Sequence, residues 1–206
     1  MSATIVNREQ CVEWSVASLP HPEQLVSGDL HVVSAWRDGV LIGVVDGLGH
    51  GDEASVAART AIDVLARHAS EPPADLMQRC HRALRNTRGA VITLVSLNTR
   101  DDTATLLGVG NVEAVLLRAD ASRGERQSVL LRGGVVGYQL PVLQTDTVPF
   151  QRGDMIVFAT DGVQQDFAED LDAGEAPARV VDRLMAKKFR GTDDGLVLAC
   201  KYLGSS

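Results

Sequence analysis

The spacing of hydrophobic positions changes period several times along the chain. Alternation over 11–18 (CVEWSVAS) predicts a strand. The stretch 31–46 (HVVSAWRDGVLIGVVD) predicts a hairpin turned at Asp38-Gly39. Over 52–69 the period becomes helical. Ala54, Ala57, Ala58, Ala61, Ile62, Leu65 and Ala69 fall on one stripe, mostly of small residues that let a helix approach a sheet closely. Asp52 and Glu53 occupy its first turn, where the helix dipole favours negative charge. A second helix is predicted over 72–86, opened by prolines, and a third over 176–188. Apolar runs predict strands at 90–98, 103–110, 112–119, 127–131 and 154–160, with a closing strand at 195–203. Helices fall in blocks between runs of strands instead of alternating with them. That order predicts an α+β antiparallel sheet system with helices packed outside, in preference to a doubly wound parallel fold.

Bulk properties narrow the class. The 206 residues suit a single domain, 1–206. Aromatics are only 4%, so the core must be built from Val, Leu, Ile and Ala. A formal net charge of -7 argues against a nucleic-acid or anionic-membrane partner, both of which call for a basic face. No window approaches 18 uninterrupted apolar residues, and MSATIVNREQ shows no secretory pattern. Cys11, Cys80 and Cys200 are far apart and form no CxxC pair, which excludes a zinc ribbon and fits a reducing compartment. A cytoplasmic protein is expected.

The candidate chemistry lies in aspartates. Asp-Gly occurs four times, at 38, 46, 161 and 194. For Asp38 turn chemistry suffices. Asp46 (IGVVDG) and Asp161 (IVFATDG) each follow a continuous apolar run, so each emerges at the end of a strand buried on both faces. Asp193 and Asp194 (GTDDG) begin such a strand, and Asp29 (SGD) is a further candidate. Aspartate near a core is costly unless its charge is paired or bound to a metal. Arg190 is the one cation near these motifs in sequence. The pattern leaves two readings: an oxygen-only site for a hard cation such as Mg²⁺ or Mn²⁺, or a set of capped turns.

The loop DGLGHGDE (46–53) fits no nucleotide motif. A dinucleotide fingerprint would need glycine where Asp52 stands, and a P-loop is absent. Asp52 and Glu53 would repel a pyrophosphate at that helix end. The D-x-G-x-G loop of ATP-binding kinase-like folds fails at Leu48.

Taken in order, VVDGLGHG, FATDGV and GTDDGLVLA resemble the metal-dependent protein Ser/Thr phosphatases (the PPM family), in particular their small bacterial sporulation-and-stress branch. RNTRGAVITLVSLN (85–98) and GVGNVEAVLL (108–117) are similar to the feedback phosphatases of the stressosome. The resemblance covers nearly the whole chain. It implies a four-layer αββα sandwich, two antiparallel sheets flanked by helices. It also implies two Mn²⁺ or Mg²⁺ ions, with phosphoserine or phosphothreonine hydrolysed by a metal-bridged water and no phosphoenzyme. By motif, Asp46 is implied to bridge both ions and Gly47 to offer its carbonyl. Asp161 and Asp193 are implied at the second ion, which makes Asp46, Asp161 and Asp193 the implied catalytic set. Asp29 would serve directly or through a water. Asp194 stands where the family has Asn or Asp, so Asp193 and Asp194 remain interchangeable by one position.

One departure is plain: many members carry histidine where this chain has Leu48. His50 is a candidate acid, with a loop or capping role as the alternative. His21, His31, His68 and His81 are expected at the surface or at edges. Arg88 is a candidate for substrate phosphate, with a structural ion pair equally open. No long insertion suited to a docking flap is visible, so specificity is expected from the cleft rim. The implied partner is a phosphorylated cytoplasmic stressosome scaffold of sulfate-transporter/anti-sigma-antagonist (STAS) domain proteins. Two rivals stand beside it: a metal-poor phosphatase-like binding module and a nucleotide-binding kinase-like protein.

Overall fold

The computed structural model describes residues 5–9, 11–124, 126–169 and 171–204. Residues 1–4 and 10, part of the stretch expected to lack a secretory signal, lie outside the described residues. In chain order the elements are β1 (Ile5–Glu9), β2 (Val12–Leu19), β3 (Asp29–Trp36), β4 (Gly39–Gly47), α1 (Asp52–Arg67), α2 (Pro73–Ala83), β5 (Ala90–Asn98), β6 (Thr103–Val109) and β7 (Glu113–Leu117). There follow β8 (Arg126–Ser128), β9 (Leu131–Arg132), β10 (Asp146–Pro149), β11 (Met155–Ala159), α3 (Pro177–Lys188) and β12 (Gly195–Tyr202).

The strands form two sheets. One runs β1-β2-β12-β11-β7-β8 and the other β10-β6-β5-β4-β3, with short β9 beside β6. Every ladder is antiparallel except β6 with β9. Side-chain alternation on the central strands builds three cores. On β4, Val40, Ile42 and Val44 point between the sheets, where they meet Ile156 and Phe158 of β11 and Leu196 and Leu198 of β12. Leu41 and Val45 point the other way, under the alanine stripe of α1 and Leu76, Met77 and Cys80 of α2. Met155, Val157 and Ala159 of β11 pack under Val180, Val181 and Leu184 of α3. The layers are therefore α1/α2, sheet, sheet, α3, the expected sandwich. A strand apolar at every position is one covered on both faces, which is why these runs looked continuous in sequence.

Three expectations are corrected. The strand expected at 127–131 is two strands, β8 in one sheet and β9 in the other, because the chain crosses between the sheets there. The helix expected over 72–86 ends at Ala83, where the Leu84 carbonyl accepts the Thr87 hydroxyl at 2.8 Å. The hairpin expected from 31 starts at Asp29, two residues earlier, and this sets the site. β1 and β10 had no signal in the pattern. In β10 only Val148 is buried, so no alternation marks it.

Candidate metal centre

The predicted carboxylates come together at one end of the sandwich. Asp29 opens β3 and faces Asp46 of β4 directly across the ladder. Asp161 follows β11 by one residue past Thr160, and Asp193 and Asp194 immediately precede β12. β11 and β12 are paired neighbours in the opposite sheet. All five side chains line one cleft of about 270 Å³, together with Leu48, Gly49, His50, Val91, Asn111 and Val135. Among the described residues no lysine or arginine lines it.

Local geometry explains the glycines. A Cβ on Gly47 would overlap the Ala54 carbonyl in the first turn of α1, so only glycine lets the helix start this close to β4. Gly49 and Gly51 have φ of 90° and 75°, in the left-handed region. Gly47 N–H donates to the Gly28 carbonyl at 3.1 Å, which ties this loop to the segment before Asp29.

Two residues that the motif reasoning passed over support the carboxylates. Thr160 donates its hydroxyl to Asp29 Oδ2 at 2.7 Å and accepts the Leu196 N–H at 2.8 Å, linking one sheet to the other. Asn111 donates Nδ2 to Asp161 Oδ2 at 2.9 Å. Their only sequence signals are the positions themselves, the threonine of FATDG and the asparagine after the glycine break of GVGN.

Asp193 and Asp194 separate clearly. Asp194 is 4% exposed and spends both oxygens on backbone: Oδ1 accepts His21 N–H at 2.6 Å and Oδ2 accepts Gly28 N–H at 2.7 Å. It anchors the 21–28 loop to β12. Asp193 is partly exposed in the cleft, and one of its oxygens accepts the Asp194 N–H at 2.8 Å. Asp194→Ala should therefore act mainly on folding. It strands two N–H groups at a cost of about 1–3 kcal/mol each, read by urea unfolding. Asp193→Asn should leave that stability near wild type and lower activity instead.

Electrostatics mark the site as short of positive charge. Burial pushes the Asp46 carboxyl up to about 9, with Asp29, Asp161, Asp193 and Asp194 adding repulsion. No side chain among the described residues donates a hydrogen bond to it. Asp29 is 2% exposed and is raised to about 7, again chiefly by burial, although the Thr160 hydroxyl pulls the other way. Among the described residues no three His, Cys, Asp or Glu side chains are placed to hold a metal ion as they stand. The carboxylates face a shared cleft instead. The donor set fits a hard divalent cation: oxygen only, multiply anionic, partly desolvated and without a protein counter-ion.

The other candidates fall around this cleft. His50 lines it and stacks on His21, with ring centroids 5.2 Å apart. His21 is thus at the cleft rim, not on an indifferent surface. His31 is partly buried against Trp14, and burial lowers its pKa. His81 Nδ1 accepts the Gly137 N–H at 3.0 Å. Arg190 lines a small adjoining cavity with Asn111 and Asp161, outside the carboxylate cleft. Arg88 forms an ion pair with Glu53. The segment between β9 and β10, not expected as a feature, contributes Val135 to the cleft and leaves Tyr138 and Val142 exposed.

The chain is similar in sequence and fold to several known proteins. The family model for Stage II sporulation protein E (SpoIIE) matches residues 37–197. The phosphoserine phosphatase RsbX of Bacillus subtilis (strain 168) is 25% identical over 190 residues, covering 92% of this chain and 94% of RsbX. A crystal structure of RsbX in complex with magnesium superposes with a TM-score of 0.87 at 23% identity, over 97% of this chain and 100% of the other. A solved chain from work on the bacterial stressosome as a modular system gives a TM-score of 0.83 at 26% identity, over 92% and 99%.

Proposed function

The chain belongs to the SpoIIE family and is a protein Ser/Thr phosphatase; from that premise we propose that it hydrolyses phosphoserine or phosphothreonine at the carboxylate cleft with two Mg²⁺ or Mn²⁺ ions. The observation that carries this reading is the convergence of five aspartates on a cleft with no cationic side chain. Asp46, Asp161 and Asp193 would be the principal ligands, with Asp29 behind them and the Gly47 carbonyl beside them. Asp194 holds the loop instead. When bound, such cations supply charge for the phosphoryl oxygens and lower the pKa of a water. The chain's own part is placement. Thr160 and Asn111 fix Asp29 and Asp161, and the desolvated Asp46 carboxylate is poised for a cation. Leu48 and Val91 narrow the cleft with apolar surface.

The proposed substrate is a cytoplasmic stress-signalling scaffold of phosphorylated STAS-domain proteins, the stressosome class. Similarity to RsbX and to a chain solved in work on the bacterial stressosome supports this choice. The proposed cytoplasmic setting is supported by three buried cysteines, Cys11, Cys80 and Cys200, that form no disulfide. We also propose that residues 1–206 act as one catalytic unit. In support, the closing strand β12 lies between β2 and β11, so the first and last parts of the chain share one sheet. No helix among the described residues is long and apolar enough to cross a membrane.

The direct test is hydrolysis of an aryl phosphate and of a phosphoserine peptide with Mn²⁺, with Mg²⁺ and in EDTA. Activity should vanish in EDTA and return with metal. Turnover that persists in EDTA defeats the reading. A phosphorylated STAS scaffold should also exceed a short phosphopeptide of the same sequence in kcat/KM, because docking energy away from the phosphate lowers that barrier. Equal values would remove the scaffold assignment and leave a general phosphatase.

A further inference from the structure

A second groove, of about 390 Å³, is lined by Asp52, Glu53, Val56, Asn86, Thr87 and Arg88. None of these belongs to the carboxylate set. One wall is the first turn of α1 and the other is the loop between α2 and β5. That loop is braced: the Thr87 hydroxyl donates to the Leu84 carbonyl at 2.8 Å and accepts the Gly89 N–H at 3.0 Å. It is also tied to the loop after Asp46, since Leu48 N–H donates to the Gly89 carbonyl at 3.0 Å.

Arg88 stands where the groove meets the cleft. Its Nη1 is 2.8 Å from where a Cβ on Gly49 would lie, and Gly49 lines the cleft. Its partner is Glu53, and the two side chains are 55% and 68% exposed. An ion pair this exposed is screened and contributes little to folding, so its members are free to exchange partners. Val56 is 55% exposed at the groove and offers apolar surface.

We infer that this groove receives the polypeptide flanking the phosphoserine and selects segments carrying a basic side chain near it. The inference rests on the phosphatase reading. On docking, Arg88 leaves Glu53 for the substrate phosphate, whose oxygens accept its paired N–H donors. The basic side chain of the substrate then takes the place of Arg88 beside Glu53 and Asp52. Every charge ends with a partner. A flanking acidic residue meets Asp52 and Glu53 unneutralised. The net charge of -7 attracts any cationic chain from a distance, but only the groove makes the preference depend on position.

The test uses two phosphoserine peptides that differ only in Lys or Glu at the positions two and three residues to either side. Wild-type kcat/KM should favour the Lys peptide by about tenfold or more. Glu53→Gln should cut that ratio at least about threefold. Asp63→Asn, the same charge change farther along α1, should not. Arg88→Ala should raise KM for both peptides more than it lowers kcat, and Arg88→Lys should recover part of the loss. Equal ratios for Glu53→Gln and Asp63→Asn, or an unmoved KM in Arg88→Ala, overturn the inference. Wild-type hydrolysis of an aryl phosphate with Mn²⁺ is the separate arm for the phosphatase reading. If that arm fails, fluorescence anisotropy of the labelled peptides on metal-free protein still decides this inference, with the same preferences expected in Kd.

Discussion

Asp46→Asn is expected to lower turnover of a phosphoserine peptide by on the order of a hundredfold or more, and to raise the melting temperature of the metal-free protein. Both effects have one cause. The Asp46 carboxylate is desolvated and faces Asp29, Asp161, Asp193 and Asp194, with no cation lining the cleft. With metal present its charge would help to hold the ion. With metal removed the buried group must either take up a proton or stay charged with no counter-ion; both cost stability, and asparagine avoids both. Steady-state kinetics in Mn²⁺ and thermal melts in EDTA read the two sides. Wild-type turnover in the variant would falsify the role given to Asp46. Asp38→Asn is the matched contrast. Asp38 sits at the β3–β4 turn and pairs with Arg100 at 2.9 Å. Asparagine serves the same turn, so activity should stay near wild type.

The second large effect is on stability. In EDTA the protein should lose stability steadily as pH rises from about 4 to about 9. The folded-state carboxyls of Asp29 and Asp46 are raised to about 7 and about 9, above their ordinary value of 3.8. Between the ordinary value and those raised values the folded chain holds protons that the unfolded chain has released. Stability therefore falls with pH across that window, first through Asp29 and then through Asp46. Glu71, Asp120 and Asp166 are held down by hydrogen bonds from Arg79, Ser122 and Lys188. They act at or below the usual carboxylate range. Inside the window, Glu113, raised by burial, adds to the fall, while His31, lowered by burial, opposes it below 6.5 and only partly offsets the two aspartates. Adding Mn²⁺ at pH 7.5 should reverse the loss, because the cation binds only the assembled cleft. At a hundredfold excess over Kd this is about 2.7 kcal/mol, or roughly 5–10 °C for a chain of this size. A melting temperature flat across this pH range, or unmoved by Mn²⁺, would contradict the placement of these carboxylates.

How much of this was legible beforehand varies by residue. Asp46, Asp161 and Asp193 stood out because each sits at one end of an apolar run, where a bare carboxylate is expensive. Asp193 and Asp194 could not be told apart, since adjacent residues at a strand start have the same sequence context. What separates them is the His21 and Gly28 N–H groups, brought from the far end of the chain, which take both oxygens of Asp194. Thr160 and Asn111 were invisible for the same reason, because their roles exist only once a partner 131 or 50 residues away is beside them.

The sequence by itself determined the layered α+β architecture, the helices and central strands, and the acidic strand ends. These follow from local periodicity and from the local cost of burying charge. Tertiary structure alone decided the crossing that splits β8 from β9 and the facing of Asp29 and Asp46 across a ladder. It also decided that Asp194, not Asp193, holds the His21 and Gly28 N–H groups, and the position of Arg88 between two grooves. Those depend on which distant segments meet, and that is settled by the packing of two sheets rather than by any single stretch of chain.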